Sequence, residues 1–69
     1  NSEPGCADIL GILADGRFLA CEVKRPGWKL RPSDHHEQEQ ASFLEAIRKR
    51  GGVGVFATCI EDVERAINQ

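Results

Sequence analysis

The sequence predicts a small α/β domain with the element order β-β-α-β-α, on three observations. Residues 8–13 and 17–24 are short, largely apolar runs separated by Ala14-Asp15-Gly16, the spacing of an antiparallel hairpin. Two later stretches carry apolar residues at helical spacing, and each opens on a capping signature. Between them Val53-Gly-Val-Phe-Ala57 is apolar throughout and reads as a third strand. With 69 residues the chain forms a single domain. A chain of this length buries only about 60% of its unfolded surface, so its core is small.

The first strand, Asp8-Ile-Leu-Gly-Ile-Leu13, has the length of a buried strand. The second, Arg17-Phe-Leu-Ala-Cys-Glu-Val-Lys24, is apolar on both faces until its end. If Gly16 takes the left-handed position of a three-residue loop, Leu13 pairs with Arg17 and Asp8 lies opposite Glu22, on the face shared with Lys24. A two-residue Asp15-Gly16 turn would put Asp8 on the other face.

Pro26-Gly27 ends the second strand, and residues 27–33 form a loop. Asp34 with Glu37 fits a capping box, Ser33 being the rival cap. The apolar stripe of this helix runs through Phe43, Leu44 and Ile47, and Gln40 and His36 continue it toward the N-terminus. Arg48-Lys49-Arg50 suits the negative end of the helix dipole, and Gly51-Gly52 terminates the helix. The third strand follows this crossover and is expected to run parallel to a neighbour. Thr58 with Glu61 is a second capping box, opening a helix with Ile60, Val63, Ala66 and Ile67 on one side. Strands apolar on both faces call for a helix on each side of the sheet.

Composition excludes several classes. Nine Lys and Arg against eleven Asp and Glu leave a net charge of −2, which rules out a uniformly basic coat but permits a local basic patch. No run approaches the ~18 apolar residues of a membrane span. Cys6, Cys21 and Cys59 are odd in number, widely spaced and free of any C-x-x-C pattern. They read as three reduced packing thiols of a cytoplasmic protein, not as a disulfide framework or a zinc site.

The residues that can carry chemistry gather around the hairpin. Glu22 and Lys24 at i and i+2 present a carboxylate and an ammonium on one face, and Asp8 adds a second carboxylate from the neighbouring strand. Two carboxylates a strand apart suit Mg²⁺ or Mn²⁺, with the Val23 backbone carbonyl as a further oxygen. The plain alternative is an ordinary Glu22–Lys24 ion pair at a strand end. Lys24, Arg25, Lys29 and Arg31 place four positive charges within eight residues, enough to hold a phosphate backbone. Trp28 among them either stacks on an unpaired base or covers a hydrophobic edge. His35 and His36 lack companions for a transition-metal set and read as surface residues.

Gly5-Cys-Ala-Asp-Ile-Leu-Gly-Ile, then Asp15-Gly-Arg-Phe-Leu-Ala-Cys-Glu-Val-Lys-Arg-Pro-Gly, then Gln40-x-x-Phe-Leu and Gly51-Gly-Val, resemble the VRR-NUC domain. That domain is a branch of the PD-(D/E)XK nuclease superfamily, which includes restriction enzymes and Holliday-junction resolvases, and the likeness is to its small stand-alone phage and bacterial type. The resemblance extends from Gly5 to about Val63 and implies a restriction-endonuclease-like core. It also implies a Mg²⁺- or Mn²⁺-dependent deoxyribonuclease in which Asp8 and Glu22 are the metal-binding carboxylates and Lys24 the catalytic lysine. Gln40 resembles a helix glutamine that points into the site of this family. The alternative for Gln40 is a rim residue at the wet end of the helix.

Two departures from the family stand out. Ala7 replaces a usual Pro, and only Asn1-Ser-Glu-Pro precedes the first motif where the family has an N-terminal helix bearing a further acidic residue. Pro4 biases Glu3 toward an extended backbone, so Glu3 does not stand in for that residue. The expectation is one minimal domain over residues 1–69 without the family helix, either truncated, naturally minimal or covered by a partner.

The leading expectation is a metal-dependent DNA endonuclease of branched or flapped structures, with no small-molecule cofactor and no membrane partner. Two strands to cut and a small core both point to a homodimer. The alternative from another class is a non-catalytic nucleic-acid-binding or assembly module that keeps the nuclease fold.

Overall fold

The computed structural model describes residues 7–69. Glu3, Pro4, Gly5 and Cys6 lie outside the described residues, and with them the start of the first motif, the Glu3–Pro4 expectation and the third thiol. The elements are β1 (Ile9–Ile12), β2 (Phe18–Val23), α1 (His35–Lys49), β3 (Val53–Ala57) and α2 (Ile60–Ile67). The order is the predicted β-β-α-β-α, and the strands form one mixed sheet in the order β1-β2-β3. No helix among the described residues is long and apolar enough to cross a membrane.

The hairpin closes through the three-residue loop. The Leu13 N–H donates to the Arg17 carbonyl at 2.8 Å, and the Gly16 N–H donates to the Leu13 carbonyl at 2.9 Å. Gly16 has φ +92°, a conformation that costs a side-chain-bearing residue and not glycine. Asp15 holds the loop by accepting from the Arg17 N–H and Nε. The resulting register pairs Ile9 with Cys21 and Ile12 with Phe18, so continuing it one step places Asp8 opposite Glu22. β3 then joins β2 in parallel, with Ala20 beside Gly54 and Glu22 beside Phe56. The crossover between them is α1.

α1 seats on the sheet where the side chains are smallest. Leu44 is fully buried over Ala20, and Phe43, Ile47 and Phe56 close around them. A Cβ on Gly54 would stand 2.5 Å from the Leu44 carbonyl oxygen, so the absence of one sets how near the helix backbone comes. Pleat alternation places Asp8, Leu10, Ala20, Glu22, Gly54 and Phe56 on this α1 face. α2 packs on β3. Ile9, Cys21, Val23 and Ala57, on the opposite face, line a cavity of about 190 Å³ with Ile60 and Val63.

The structure corrects several local expectations. Asp34 caps α1 by accepting from the Glu37 N–H at 3.0 Å, but Glu37 does not complete a capping box: its carboxylate goes to Trp28 and Arg31. The second cap is Cys59, with no side-chain bond, while Asp62 and not Glu61 binds the Thr58 N–H and hydroxyl. With Cys59 as the cap, Asp62 and not Glu61 is the third residue of α2, and its bonds to Thr58, with Arg65, hold its carboxyl at about 2. Cys59 is exposed, so only Cys21 of the two described thiols is a packing residue.

β1 is not a buried strand. Ile12 is 70% exposed, and Ile9 and Leu10 are half exposed, because the helices lie over β2 and β3 and β1 is left at the sheet edge. Ile60, expected on the covered side of α2, is likewise exposed.

The helix–sheet contact makes a direct prediction. Gly54→Ala forces α1 away from the sheet and lowers unfolding stability in urea by about 1–3 kcal/mol. Gly11→Ala, where nothing lies within 4 Å of the new methyl, leaves it within about 0.5 kcal/mol. Equal effects at the two positions would remove the close approach as the determinant.

Candidate functional site

The site is assembled where β1 begins and β2 ends. Asp8 immediately precedes β1, and its Oδ2 accepts from the Val23 N–H at 3.0 Å. That bond uses the donor that would otherwise extend the β1–β2 ladder, so the pairing stops at Ile9 and the carboxylate is held over the strand end. Within one extended residue the N–H and carbonyl point to the same edge, so the Val23 carbonyl also lies on the Asp8 side of β2.

Glu22 lies beside Asp8 and is 3% exposed. Its Oε2 is buried with no hydrogen-bond partner among the described residues. Burial, followed by the neighbouring Asp8, pushes its carboxyl up to about 7. Asp8 moves the other way: its bond with Glu22, the Val23 N–H and the charge of Lys24 lower its carboxyl from 3.8. The pair therefore divides into one group ionised through the neutral range and one poised to exchange a proton within it.

Lys24 does not close an ion pair with Glu22. Its Nζ donates to Gln40 Oε1 at 2.8 Å, although its charge still acts on both carboxylates. Gln40 is buried on the α1 stripe one turn before Leu44, not at a rim, and Lys24 is the partner its carbonyl oxygen meets. Because an ammonium can only donate, the amide turns its NH₂ away, and Gln40 Nε2 meets His36 Nε2 at 3.3 Å. His36 is exposed, and His35 faces Glu39 at 3.5 Å.

The basic loop divides into two parts. Arg25 and Lys29 are exposed, with no side-chain partner among the described residues. Arg31 is committed: its Nη2 donates to Asp34 at 2.8 Å and to Glu37 at 3.0 Å, and its backbone N–H also donates to Glu37. Trp28 is half-buried, donates from Nε1 to Glu37 Oε2 at 3.0 Å, and rests tilted against Phe56 at 4.6 Å between centroids. Trp28 thus covers a hydrophobic edge. Glu37, bonded first by Arg31 and then by Trp28, has its carboxyl lowered to about 2.

Glu37 and Phe56 are the two residues of this neighbourhood that the sequence reading did not select. The available signal for Glu37 was its spacing: positions 37, 40, 44 and 47 form one helical stripe, so a carboxylate there is buried and needs donors. Phe56 is signalled only by its register beside Glu22.

The arrangement has the donor set for a hard divalent cation. Asp8 and Glu22 converge, the Glu22 Oε2 is orphaned, and the Val23 carbonyl lies on the same side. Among the described residues no group of three or more His, Cys, Asp and Glu side chains surrounds one point, so the remaining ligands would be backbone or water oxygens.

Glu22 also gives stability a pH dependence of known sign. Unfolded, it loses its proton near 4.5; folded, it keeps the proton to about 7. The folded state therefore binds more protons between these values, and stability falls as pH rises through that window. Glu22→Gln removes the slope and is more stable than wild type at pH 8 by on the order of 2–3 kcal/mol. Asp8, lowered, acts in a separate window, with stability lost as pH falls below about 4. Urea unfolding at pH 5, 6 and 8 reads the difference, and parallel profiles for the two proteins would contradict a raised Glu22.

No protein-family model, no curated protein and no solved structure matches the chain.

Proposed function

We propose that the chain is a divalent-metal-dependent DNA endonuclease of the VRR-NUC type, with a restriction-endonuclease-like core, acting on branched or flapped DNA. The observation that carries the reading is Asp8 lying beside a buried Glu22 whose Oε2 has no partner among the described residues, with Lys24 turned to Gln40 beside them. A merely structural Glu-x-Lys would be expected to close on itself; here the lysine is held separately and the glutamate is left short of a partner.

Asp8, Glu22 and the Val23 carbonyl would hold Mg²⁺ or Mn²⁺. When bound, the cation neutralises charge on the scissile phosphate and acidifies a water. Hydrolysis exchanges one phosphorus–oxygen ester bond for a bond to the water oxygen. Lys24, oriented by Gln40, is the point donor that steadies the attacking water or the phosphate oxygen. Arg25 and Lys29 hold the flanking backbone, with the exposed part of the Arg31 guanidinium as a third contact. A second copy of the chain would supply the second site that a two-strand substrate needs, and the exposed apolar residues of β1 offer it a surface to cover.

The test is cleavage of a labelled four-way junction, a flap and a linear duplex in Mn²⁺, with Glu22→Ala and an EDTA control. Products that need metal and disappear in Glu22→Ala are expected, in larger yield from the branched substrates. DNA binding without products from any of them would replace this reading with a non-catalytic nucleic-acid module. A second measurement is independent of turnover. Because a proton competes for Glu22 below about 7, Mn²⁺ should raise the thermal midpoint more at pH 8 than at pH 6. Glu22→Gln should abolish the increment, and an increment equal at both pH values would place the cation elsewhere.

A further inference from the structure

Trp28 lies in the basic loop, where a base-stacking role would be the natural assignment, yet its surroundings are occupied. The indole N–H is tied to the buried Glu37, the ring rests on Phe56, and the Lys24 ammonium lies 5.2 Å from the Trp28 centroid and 5.8 Å from that of Phe56. Lys24 is therefore held by two aromatic rings and by Gln40 Oε1 at 2.8 Å. Both distances fall within the range at which an aromatic quadrupole attracts a cation.

We propose that Trp28 is a positioning residue for Lys24: anchored by Glu37 and backed by Phe56, it holds the lysine ammonium against Gln40 beside Asp8 and Glu22. The role given to the lysine rests on the nuclease reading; the contact does not.

The physical case is one of entropy and direction. A lysine side chain on four methylenes loses rotamer freedom when its ammonium is fixed, and a single charge-assisted hydrogen bond ties it to one acceptor only, leaving the rest of its direction open. Two ring faces add attraction without adding a negative charge. That distinction matters at this site, where a carboxylate partner for the lysine would be a third acidic group beside Asp8 and Glu22. Glu37 supplies the rigidity at one remove: its carboxyl is lowered to about 2, so it is ionised through the neutral range and the anchor on Trp28 does not titrate away there. Arg31 neutralises Glu37 from the loop side, which ties the same loop to α1.

Trp28 is the only tryptophan in the chain, so its fluorescence reports this contact alone. The lysine reports it too, since methylene protons next to an ammonium held at ring faces are shifted upfield. The experiment compares wild type, Trp28→Phe, Trp28→Leu and Glu37→Gln. It reads the Lys24 Hε chemical shifts, duplex and flap binding in Ca²⁺, and kcat and KM for cleavage in Mn²⁺.

Positioning predicts upfield Lys24 Hε protons in wild type, largely kept in Trp28→Phe and returned toward free-lysine values in Trp28→Leu. It predicts a Trp28 emission change on Lys24→Met. In turnover, Trp28→Leu should lower kcat about five- to tenfold with KM and DNA affinity within about twofold, and Trp28→Phe should recover most of the loss. Glu37→Gln, which keeps both rings, should fall between the two.

A base-stacking role predicts the reverse: weaker DNA binding and raised KM in Trp28→Leu, unchanged kcat, and undisturbed Lys24 resonances. That result overturns the proposal, as would Lys24 Hε protons at free-lysine positions in wild type. If wild type cuts no DNA, the chemical shifts and the Lys24→Met emission still decide the contact, and the nuclease reading fails separately.

Discussion

The approach of α1 to the sheet at Gly54 governs the rest of the molecule. A helix normally rides on a layer of side chains; here the layer is reduced to Ala20 and an absent Cβ, and Leu44 fills what remains. Residues 37, 40 and 44 share one stripe of α1, so fixing Leu44 fixes where Gln40 and Glu37 stand over the end of β2. The site is in this sense an extension of the core. The same turn-by-turn register that buries a leucine delivers an amide to Lys24 and a carboxylate to Trp28.

Two carboxylates are held together against their own repulsion at that end of the sheet. Asp8 is anchored by a backbone N–H, whereas Glu22 is buried with one oxygen unpartnered, and the difference in environment drives their proton affinities apart. A small domain has little stability to spend on such a defect. Holding Glu22 buried beside Asp8 therefore costs stability once it ionises. Lys24, the obvious neutralising partner, is drawn instead to Gln40 and the aromatic pair, which keeps the two carboxylates open to a cation.

The edges of the sheet are treated unequally. At β3, Arg48 reaches from α1 to donate to the Gly54 carbonyl at 2.6 Å, occupying a main-chain group that would otherwise face outward. β1 has no such guard among its own side chains: Ile9, Leu10 and Ile12 are apolar and exposed. Unguarded apolar edges invite pairing or cover, and the asymmetry follows from α1 lying over β2 and β3 and α2 packing on β3.

Much of this was legible in the order of residues. The Asp15-Gly16 loop, the apolar runs and the Gly51-Gly52 stop specify element type and order through local rules, because turn geometry and side-chain alternation need no distant partner. The facing of Asp8 and Glu22 was not among these: the sequence allowed a two- or a three-residue loop, a difference of one residue that decides the face of every side chain on the strand, and the structure adopts the three-residue one. The exposure of β1 was not legible: an apolar run states that burial is favourable, not that a covering element exists. Nor were the partners of Glu37, Asp62 and Trp28, since a carboxylate near a helix start reads as a cap until the loop folds back and offers better donors. The sequence by itself determined which chemical groups exist and which elements carry them. Only the tertiary structure decided that Lys24 turns to Gln40 and two ring faces while Glu22 Oε2 meets no partner among the described residues, because those are choices among competing partners brought together from separate elements.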